Sequence, residues 1–399
     1  ATHDASTVIV EDGRIRAVEG PHVSDLPEGT EVIDVTRATL MPGLIDVHVH
    51  LAYSGIPHKS AFRAEAANLS YTDLALRAAG YARRTLLAGY TSVRDMHAPG
   101  AINIALRDAI DAGHVVGPRV RACGLGLSVT GGHMDQPGWG QHVHLDDMTS
   151  PCDGPTGFVR GVREQVKRGA DFIKINACVS SMRDPRHPYR QEMSDQELEA
   201  ACDEAESWER DVGAHTSGGP GLAAAVRAGV RTVEHGHWLD QETVDLMAER
   251  GAFYVPTLLV NERNFDFSAE EMGATERSWR WLQLAREAKW PSLALAQVAG
   301  VKIATGSDAG FMLPHGTMNA REIALLVQGG LSPVDALSAA TATGAELLRL
   351  DAGEIAPGRL ADLLVVDGDP TRDVGILQDQ HRLRVFKGGI EVRPTEGTA

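Results

Sequence analysis

Residues 40–51 read Leu-Met-Pro-Gly-Leu-Ile-Asp-Val-His-Val-His-Leu, and the fold turns on how this run is taken. Leu44, Ile45, Val47, Val49 and Leu51 are apolar and largely β-branched, and Pro42-Gly43 punctuates the start, so the run predicts a short buried strand. His48 and His50 are two residues apart, which in a strand puts both rings on one face. Two same-side imidazoles near the C-terminal end of a strand are a natural beginning for a metal site. Taken alone, such a pair also arises by chance on a solvent-facing edge, so its meaning depends on the rest of the chain.

The remainder of the chain repeats the pattern. Further strand candidates are Tyr90–Asp95, Val120–Leu127, Asp171–Asn176, Asp211–Thr216, Arg231–His235, Ala252–Leu258 and Val301–Asp308. Helical stretches precede them at 72–88, 101–112, 157–168, 194–209, 220–228, 240–250 and about 275–298. Eight strands alternating with helices over roughly 270 residues is the size of an α/β chain built as a (β/α)8 TIM-like barrel. A doubly wound open sheet is the competing architecture, and the count of eight favours the barrel.

Both chain ends read differently. Val8–Val10 and Arg14–Val18 flank an Asp12-Gly13 turn, and Glu31–Val35 reads as another strand. Beyond helices at about 317–328 and 333–348, Ala361–Val366 and Arg384–Val392 return to strand patterning, with Gly388-Gly389 as a hairpin turn. The simplest arrangement joins residues 1–39 and 351–399 in one small β-sandwich domain beside a barrel of residues 40–350.

Composition bounds the function. The chain of 399 residues is 43% hydrophobic and 23% charged, ordinary for a globular protein with ample core. A formal charge of −16 argues against sequence-independent binding of nucleic acid or an anionic membrane surface. No apolar run reaches the length of a membrane span. Cys123, Cys152, Cys178 and Cys202 are scattered without a CxxC pair, the pattern of reduced core thiols, which favours a cytoplasmic location. A periplasmic or secreted location stays open, because a chain starting at Ala1 can have lost a leader.

Polar residues collect at the strand ends: His48 and His50 on the first strand, Lys174 on the fourth, His215 on the fifth, His235 on the sixth and Asp308 on the eighth. In a barrel these ends converge on one face. Four imidazoles and a carboxylate suit zinc or a similar borderline dication. Lys174 is the odd member, since an ammonium repels a dication and is costly to bury in Phe172-Ile173-Lys174-Ile175. Either it pairs with an acid such as Asp171 or Asp203, or snorkels outward, or its neutral amine has captured CO2 as a carbamate able to bridge two metals. Composition leaves these alternatives even.

Pro-Gly-Leu-Ile-Asp-Val-His-Val-His (42–50), Ala-Asp-Phe-Ile-Lys-Ile (170–175), Ala-His (214–215), Glu-His-Gly (234–236) and Gly-Ser-Asp (306–308) resemble, in order and spacing, the metal-dependent amidohydrolase superfamily. Pro357–Val366 looks like its C-terminal return to the β domain. Thr130-Gly-Gly-His133 and the stretch 153–171 resemble one group within it: imidazolonepropionase-related Xaa-Pro dipeptidases, carboxypeptidase-like enzymes and amidases that cleave ochratoxin. The resemblance implies a binuclear site, two divalent ions such as Zn2+ held by His48, His50, a carbamylated Lys174, His215, His235 and Asp308. It also implies a homo-oligomer, as in many relatives, some of them octameric. Two departures bear on substrate preference: Ser217 stands where many relatives carry a second histidine, and His237 where a small or hydroxylic residue is usual.

The expected reaction is hydrolysis of an amide, releasing a C-terminal amino acid from an N-acyl amino acid, an Xaa-Pro dipeptide or an ochratoxin A-like substrate. A bridging hydroxide would attack the carbonyl, with Asp308 taking its proton and passing it to the leaving nitrogen. His133, just beyond the third strand, is a candidate to bond the substrate carbonyl or carboxylate. Tyr189 and Arg190 are candidates for the α-carboxylate, and His237 for a pocket wall. Packing or surface roles are the ordinary alternatives for these four.

Other features are set aside: His142-Val-His144 as polar loop, Gly124-Leu-Gly126 as no dinucleotide fingerprint, Arg94-Asp95 as an internal ion pair, and Trp279, Trp281 and Trp290 as helix packing. The competing functions are a cyclic-amide hydrolase, a mononuclear deaminase of the same superfamily, and a metal-free scaffold. The deaminase is disfavoured by Lys174 and by Thr216-Ser217 after the fifth-strand histidine; the scaffold by the six filled ligand positions.

Overall fold

The computed structural model describes residues 6–21, 23, 26–35, 37–133, 135, 149–180 and 189–393. In chain order, β1 (Thr7–Glu11) and β2 (Arg14–Glu19) form the expected hairpin around Asp12-Gly13. Residues 31–35 do not form the strand expected of them. They lie mostly exposed and belong to no ladder among the described residues. Next come β3 (Thr39–Pro42) and β4 (Leu44–Val49), the latter buried at every position. Helices α1 (Lys59–Asn68) and α2 (Tyr71–Leu87) lead to β5 (Tyr90–Asp95). A reciprocal cap between Ser70 and Asp73 starts α2, and its apolar stripe Leu74, Ala78, Ala82, Leu86 packs inward.

The third barrel position follows α3 (Ile102–Asp111) and is split into β6 (Arg119–Ala122) and β7 (Gly126–Ser128), where one continuous strand is expected from sequence. Gly124, at φ +75°, turns the chain between the two pieces. A short β8 (Thr149–Pro151) precedes α4 (Gly154–Arg168), β9 (Ile173–Asn176) and the hairpin β10 (Cys178–Ser180) with β11 (Tyr189–Gln191). Then α5 (Asp195–Ser207), β12 (Val212–Gly218), α6 (Gly219–Ala228), β13 (Thr232–Trp238), α7 (Gln241–Arg250), β14 (Phe253–Val255), α8 (Leu258–Arg263) and the long α9 (Glu276–Val298) continue the alternation.

The strands close into a TIM-like barrel. Parallel pairing runs β4–β5–β6 on one side and β7–β9–β12–β13–β14 on the other. The Asp171 N–H donates to the Ala122 carbonyl at 2.8 Å and stitches β6 to the run entering β9. The eighth position is no regular strand; residues 301–309 make only a parallel bridge from Ile303 to Tyr254 and one from Ala309 to Val49. Those bridges complete the ring. Gly306 permits the approach, because a Cβ there would lie 2.7 Å from His48 Cβ and 2.5 Å from Val255 Cγ1.

After α10 (Arg321–Gln328), α11 (Pro333–Ala339) and α12 (Ala342–Leu348), the strands β15 (Leu363–Val366), β16 (Leu383–Lys387) and β17 (Ile390–Val392) form an antiparallel sheet with β3, in order β17-β16-β15-β3. The two chain ends are thus paired through β3 and β15, and Gly388-Gly389 turns the last hairpin. Ile15 of β2 joins Leu363, Val365 and Phe386 in one apolar cluster. All four cysteines are buried and unbridged, as expected. No helix among the described residues is long and apolar enough to cross a membrane.

Candidate active site

The C-terminal ends of the barrel strands carry a contiguous run of imidazoles. Ring centroids lie 5.4 Å apart for His48 and His50, 5.0 Å for His48 and His235, and 4.4 Å for His235 and His215. His133 stacks on His215 at 3.8 Å, and His97, at the end of β5, lies 4.4 Å from His50. Asp308 closes the set, its Oδ1 3.5 Å from His48 Nε2 and 3.2 Å from His50 Nε2. Ligand-capable atoms of His48, His50 and Asp308 all lie within 4.8 Å of one another.

Three of the imidazoles are turned by what they bond on their far side. His48 donates from Nδ1 to Glu234 Oε2 at 2.7 Å, and His50 donates from Nδ1 to the His97 carbonyl at 3.3 Å. His235 Nδ1 lies 2.7 Å from Thr257 Oγ1. In all three the nitrogen left over is Nε2. His215 Nε2 has no hydrogen-bond partner among the described residues, although it is buried. Burial holds the pKa of His50, His215 and His235 well below the usual histidine value, and that of His48 below it, so these rings are neutral with lone pairs to offer.

Lys174 is 2% exposed, and its Nζ has no hydrogen-bond partner among the described residues. The pairing with Asp171 offered by the sequence does not occur, because Asp171 is taken by Arg107 at 2.7 Å. Burial lowers the Lys174 pKa to about 8. A buried amine without an acceptor is a costly group to keep, and one that loses its proton easily. The chemistry of this donor set fits a divalent cation: neutral imidazoles, one carboxylate, and an orphaned amine beside them.

Two of the site residues sit in strained backbone. His235 has φ +68° and Asp308 φ +61°, both in the left-handed region that non-glycine residues avoid. Burial raises the Asp308 carboxyl pKa, and the neighbouring His48 and Lys174 offset only part of the rise. Asp46 ties the strand of His48 to the segment that carries Asp308. Its Oδ1 accepts the N–H of His48 at 3.2 Å and of Ser307 at 3.0 Å, and its Oδ2 accepts from Ser307 Oγ and Asn319 Nδ2.

The remaining candidates fall into two groups. His133 is half-buried over His215, with burial lowering its pKa to about 3 and its backbone N–H given to Glu192 at 2.7 Å. His237 is buried two residues past His235, its ring 5.2 Å from Trp281 and 5.5 Å from Trp238. Tyr189 is half-buried, 5.8 Å from Trp238. Arg190 follows it on the same strand and is exposed, so the two side chains leave on opposite faces. The pair His142 and His144 lies outside the described residues.

Arg94-Asp95 is a correction. Arg94 pairs with Glu234 at 2.6 Å and donates to the Val47 carbonyl at 2.7 Å, while Asp95 accepts from the Leu51 N–H and Asn103. Neighbours in a strand point to opposite faces, so they could not pair with each other. Sequence reasoning also missed Glu234, His97, Thr257 and Lys289 as neighbours of the candidate ligands. His97 was findable by the strand-end rule that marked the others. Thr257, at the end of the candidate strand Ala252–Leu258, carried the same signal; Lys289, inside a helix, had none.

The profile of the amidohydrolase family matches residues 39–392. An ochratoxinase from Aspergillus niger is 31% identical over 374 residues, an alignment that takes in 88% of this chain and 75% of that protein. Among solved structures, a Xaa-Pro dipeptidase with bound methionine in the active site superposes with a TM-score of 0.84 at 31% identity, covering 97% of this chain and 94% of the other. A prolidase complexed with N-methylphosphonate-L-proline gives a TM-score of 0.84 at 34% identity, with the same coverage.

Proposed function

The chain belongs to the amidohydrolase family and is a hydrolase of amide C–N bonds, and from that premise we propose that it cleaves N-acyl amino acids or dipeptides bearing a free C-terminal carboxylate. Two kinds of relative support this substrate class: an ochratoxinase, and dipeptidase or prolidase structures of which one holds a proline phosphonate. The observation that carries the reading is the orphaned, buried Lys174 Nζ, whose charge acts on His48, His50, His215, His235 and Asp308 alike. These six residues would hold two divalent cations, zinc fitting the donor set best, with Lys174 contributing oxygen donors as its carbamate. Bound there, such ions would polarise the scissile carbonyl and make hydroxide available near neutral pH.

The chain's own residues supply the rest. Asp308 takes the nucleophile's proton and delivers it to the leaving nitrogen, which departs poorly as an anion. Its carboxylate, 3.5 Å from His48 Nε2 and 3.2 Å from His50 Nε2, supports that role. His133, neutral at any ordinary pH, donates a hydrogen bond to the substrate carbonyl or carboxylate. Tyr189 and His237 flank Trp238 and form the proposed wall that receives the released amino acid, whereas Arg190 leaves the strand on the opposite face and makes no substrate contact in this reading. The protein is proposed to work as a homo-oligomer.

We also infer that the β1–β2 hairpin and the β17-β16-β15-β3 sheet close face to face as a small β-sandwich domain of residues 1–39 and 351–399, around Ile15, Leu363, Val365 and Phe386. Amide exchange tests it: Ile15→Ala should speed exchange at residues 363–366 and leave β12 and β13 unchanged. Uniform effects across the barrel would count against a separate domain.

The substrate proposal is tested by assaying the zinc-loaded protein on N-acyl amino acids, Xaa-Pro dipeptides and ochratoxin A. Release of the free C-terminal amino acid, lost on blocking the carboxylate as an amide, is the expected result. Equal turnover of the blocked compounds, or ammonia release from aminated bases without amide cleavage, would reject the substrate class.

A further inference from the structure

Helix α9 buries a polar face as well as an apolar one. Lys289 is 1% exposed, and Ser292, three residues on, is buried too. Neither is paired for its own sake. Ser292 Oγ accepts the Leu239 N–H at 3.0 Å and donates to the His237 carbonyl at 2.8 Å, fastening the turn that leaves β13. Lys289 Nζ donates to the carbonyls of Pro256 and Thr257, the latter at 2.7 Å, and to Thr257 Oγ1 at 3.1 Å. An ammonium has three hydrogens, and here all three go into one turn.

That turn is strained. Thr257 has φ 47° and ψ 53°, a left-handed conformation that a β-branched residue adopts only when its surroundings impose it. Lys289 holds it from the helix side. Glu322 holds it from the other, accepting the N–H groups of Leu258 at 2.9 Å and Leu259 at 2.6 Å. The product of this clamp is a single contact, Thr257 Oγ1 at 2.7 Å from His235 Nδ1.

We propose that Lys289 is a positioning residue for the metal site: it imposes the left-handed turn at Thr257, and the Thr257 hydroxyl then fixes the His235 ring so that Nε2 faces the metal. The inference rests on the reading of His235 as a ligand. Lys289 touches no reacting atom. Its effect passes through one hydroxyl, and that is what separates it from a lysine that only glues α9 to the barrel.

The test tracks zinc release from the loaded protein to a chromogenic chelator, with melting temperature measured alongside and no substrate required. Thr257→Val keeps the shape and deletes the hydroxyl, and should speed release about 10- to 100-fold. Thr257→Ser restores the hydroxyl and should restore slow release. Lys289→Met should match Thr257→Val within a few-fold, and the double variant should release no faster than the faster single, because both remove the same contact. Should Lys289→Met fail to fold, Glu322→Gln, which frees the turn from the opposite side, takes its place with the same expectation. Release rates unchanged in these variants, or a double variant whose effects multiply, would overturn the proposal. A wild-type protein that binds no metal would instead sink the proposed function itself, so the two failures are distinguishable.

Discussion

His48 and Glu234 stand 186 residues apart in the chain and 2.7 Å apart in the fold, Nδ1 to Oε2, with the Arg94 guanidinium 2.6 Å from the other carboxylate oxygen. Burial alone would raise the Glu234 pKa, but Arg94 and His48 hold it well below the usual carboxylate range. The carboxylate therefore stays ionised and keeps the proton of His48 on Nδ1, leaving Nε2 for the site.

Glu234→Gln should accordingly weaken metal binding about 10- to 100-fold, measured by chelator competition. It should also lower stability, since a buried guanidinium loses its counter-charge, a loss on the order of 3–5 kcal/mol where a pair is broken from one side. A variant with unaltered metal affinity would show that His48 needs no such partner.

Asp46 couples the strand of His48 to the segment of Asp308 through Ser307. Ser307 Oγ also accepts the Ala309 N–H at 3.1 Å. Ser307→Ala leaves that N–H and one Asp46 oxygen short of partners, so denaturant unfolding should show a loss of about 1–3 kcal/mol. No loss would mean that water replaces the hydroxyl without cost.

Asp308→Asn keeps the size of the side chain and removes its capacity to carry a proton. On any substrate found by the screen, kcat should fall about 10²- to 10⁴-fold with KM changed little. A rise in KM at constant kcat would make Asp308 a binding residue instead.

Asp95, which accepts the N–H of Leu51 next to His50, supplies a pH test. Burial raises its pKa from 3.8 to about 7 in the folded chain. The stability linked to this group is therefore full below pH 4 and is lost as pH rises through 7. Asp95→Asn does not titrate there, so its stability relative to wild type should improve between pH 5 and pH 7 and level off by pH 8. A flat difference across that range would show that the carboxyl is already ionised at pH 5.

Much of this was legible in the sequence because barrel strands obey a local rule. The alternation of apolar runs with helical stretches locates seven of the eight barrel positions as strands, and polar residues at their ends mark His48, His50, His215, His235 and Asp308. The eighth position carries strand patterning but pairs through isolated bridges and scattered backbone hydrogen bonds to β4 and β14 rather than a regular ladder. Arg94 escapes a sequence reading for a related reason: the partner of a barrel-interior charge lies across the barrel, on β13, and adjacency in sequence says nothing of it. Lys289 looks like any helix lysine, and only the path of α9 over the strand ends brings it to Thr257.

The central claim is that Lys174 completes a two-metal site, and metal analysis of the purified protein grown with zinc and bicarbonate tests it most directly. About two ions per chain in the wild type, falling to one or none in Lys174→Ala, is the predicted result. One ion or none in the wild type, or two retained by Lys174→Ala, would contradict it.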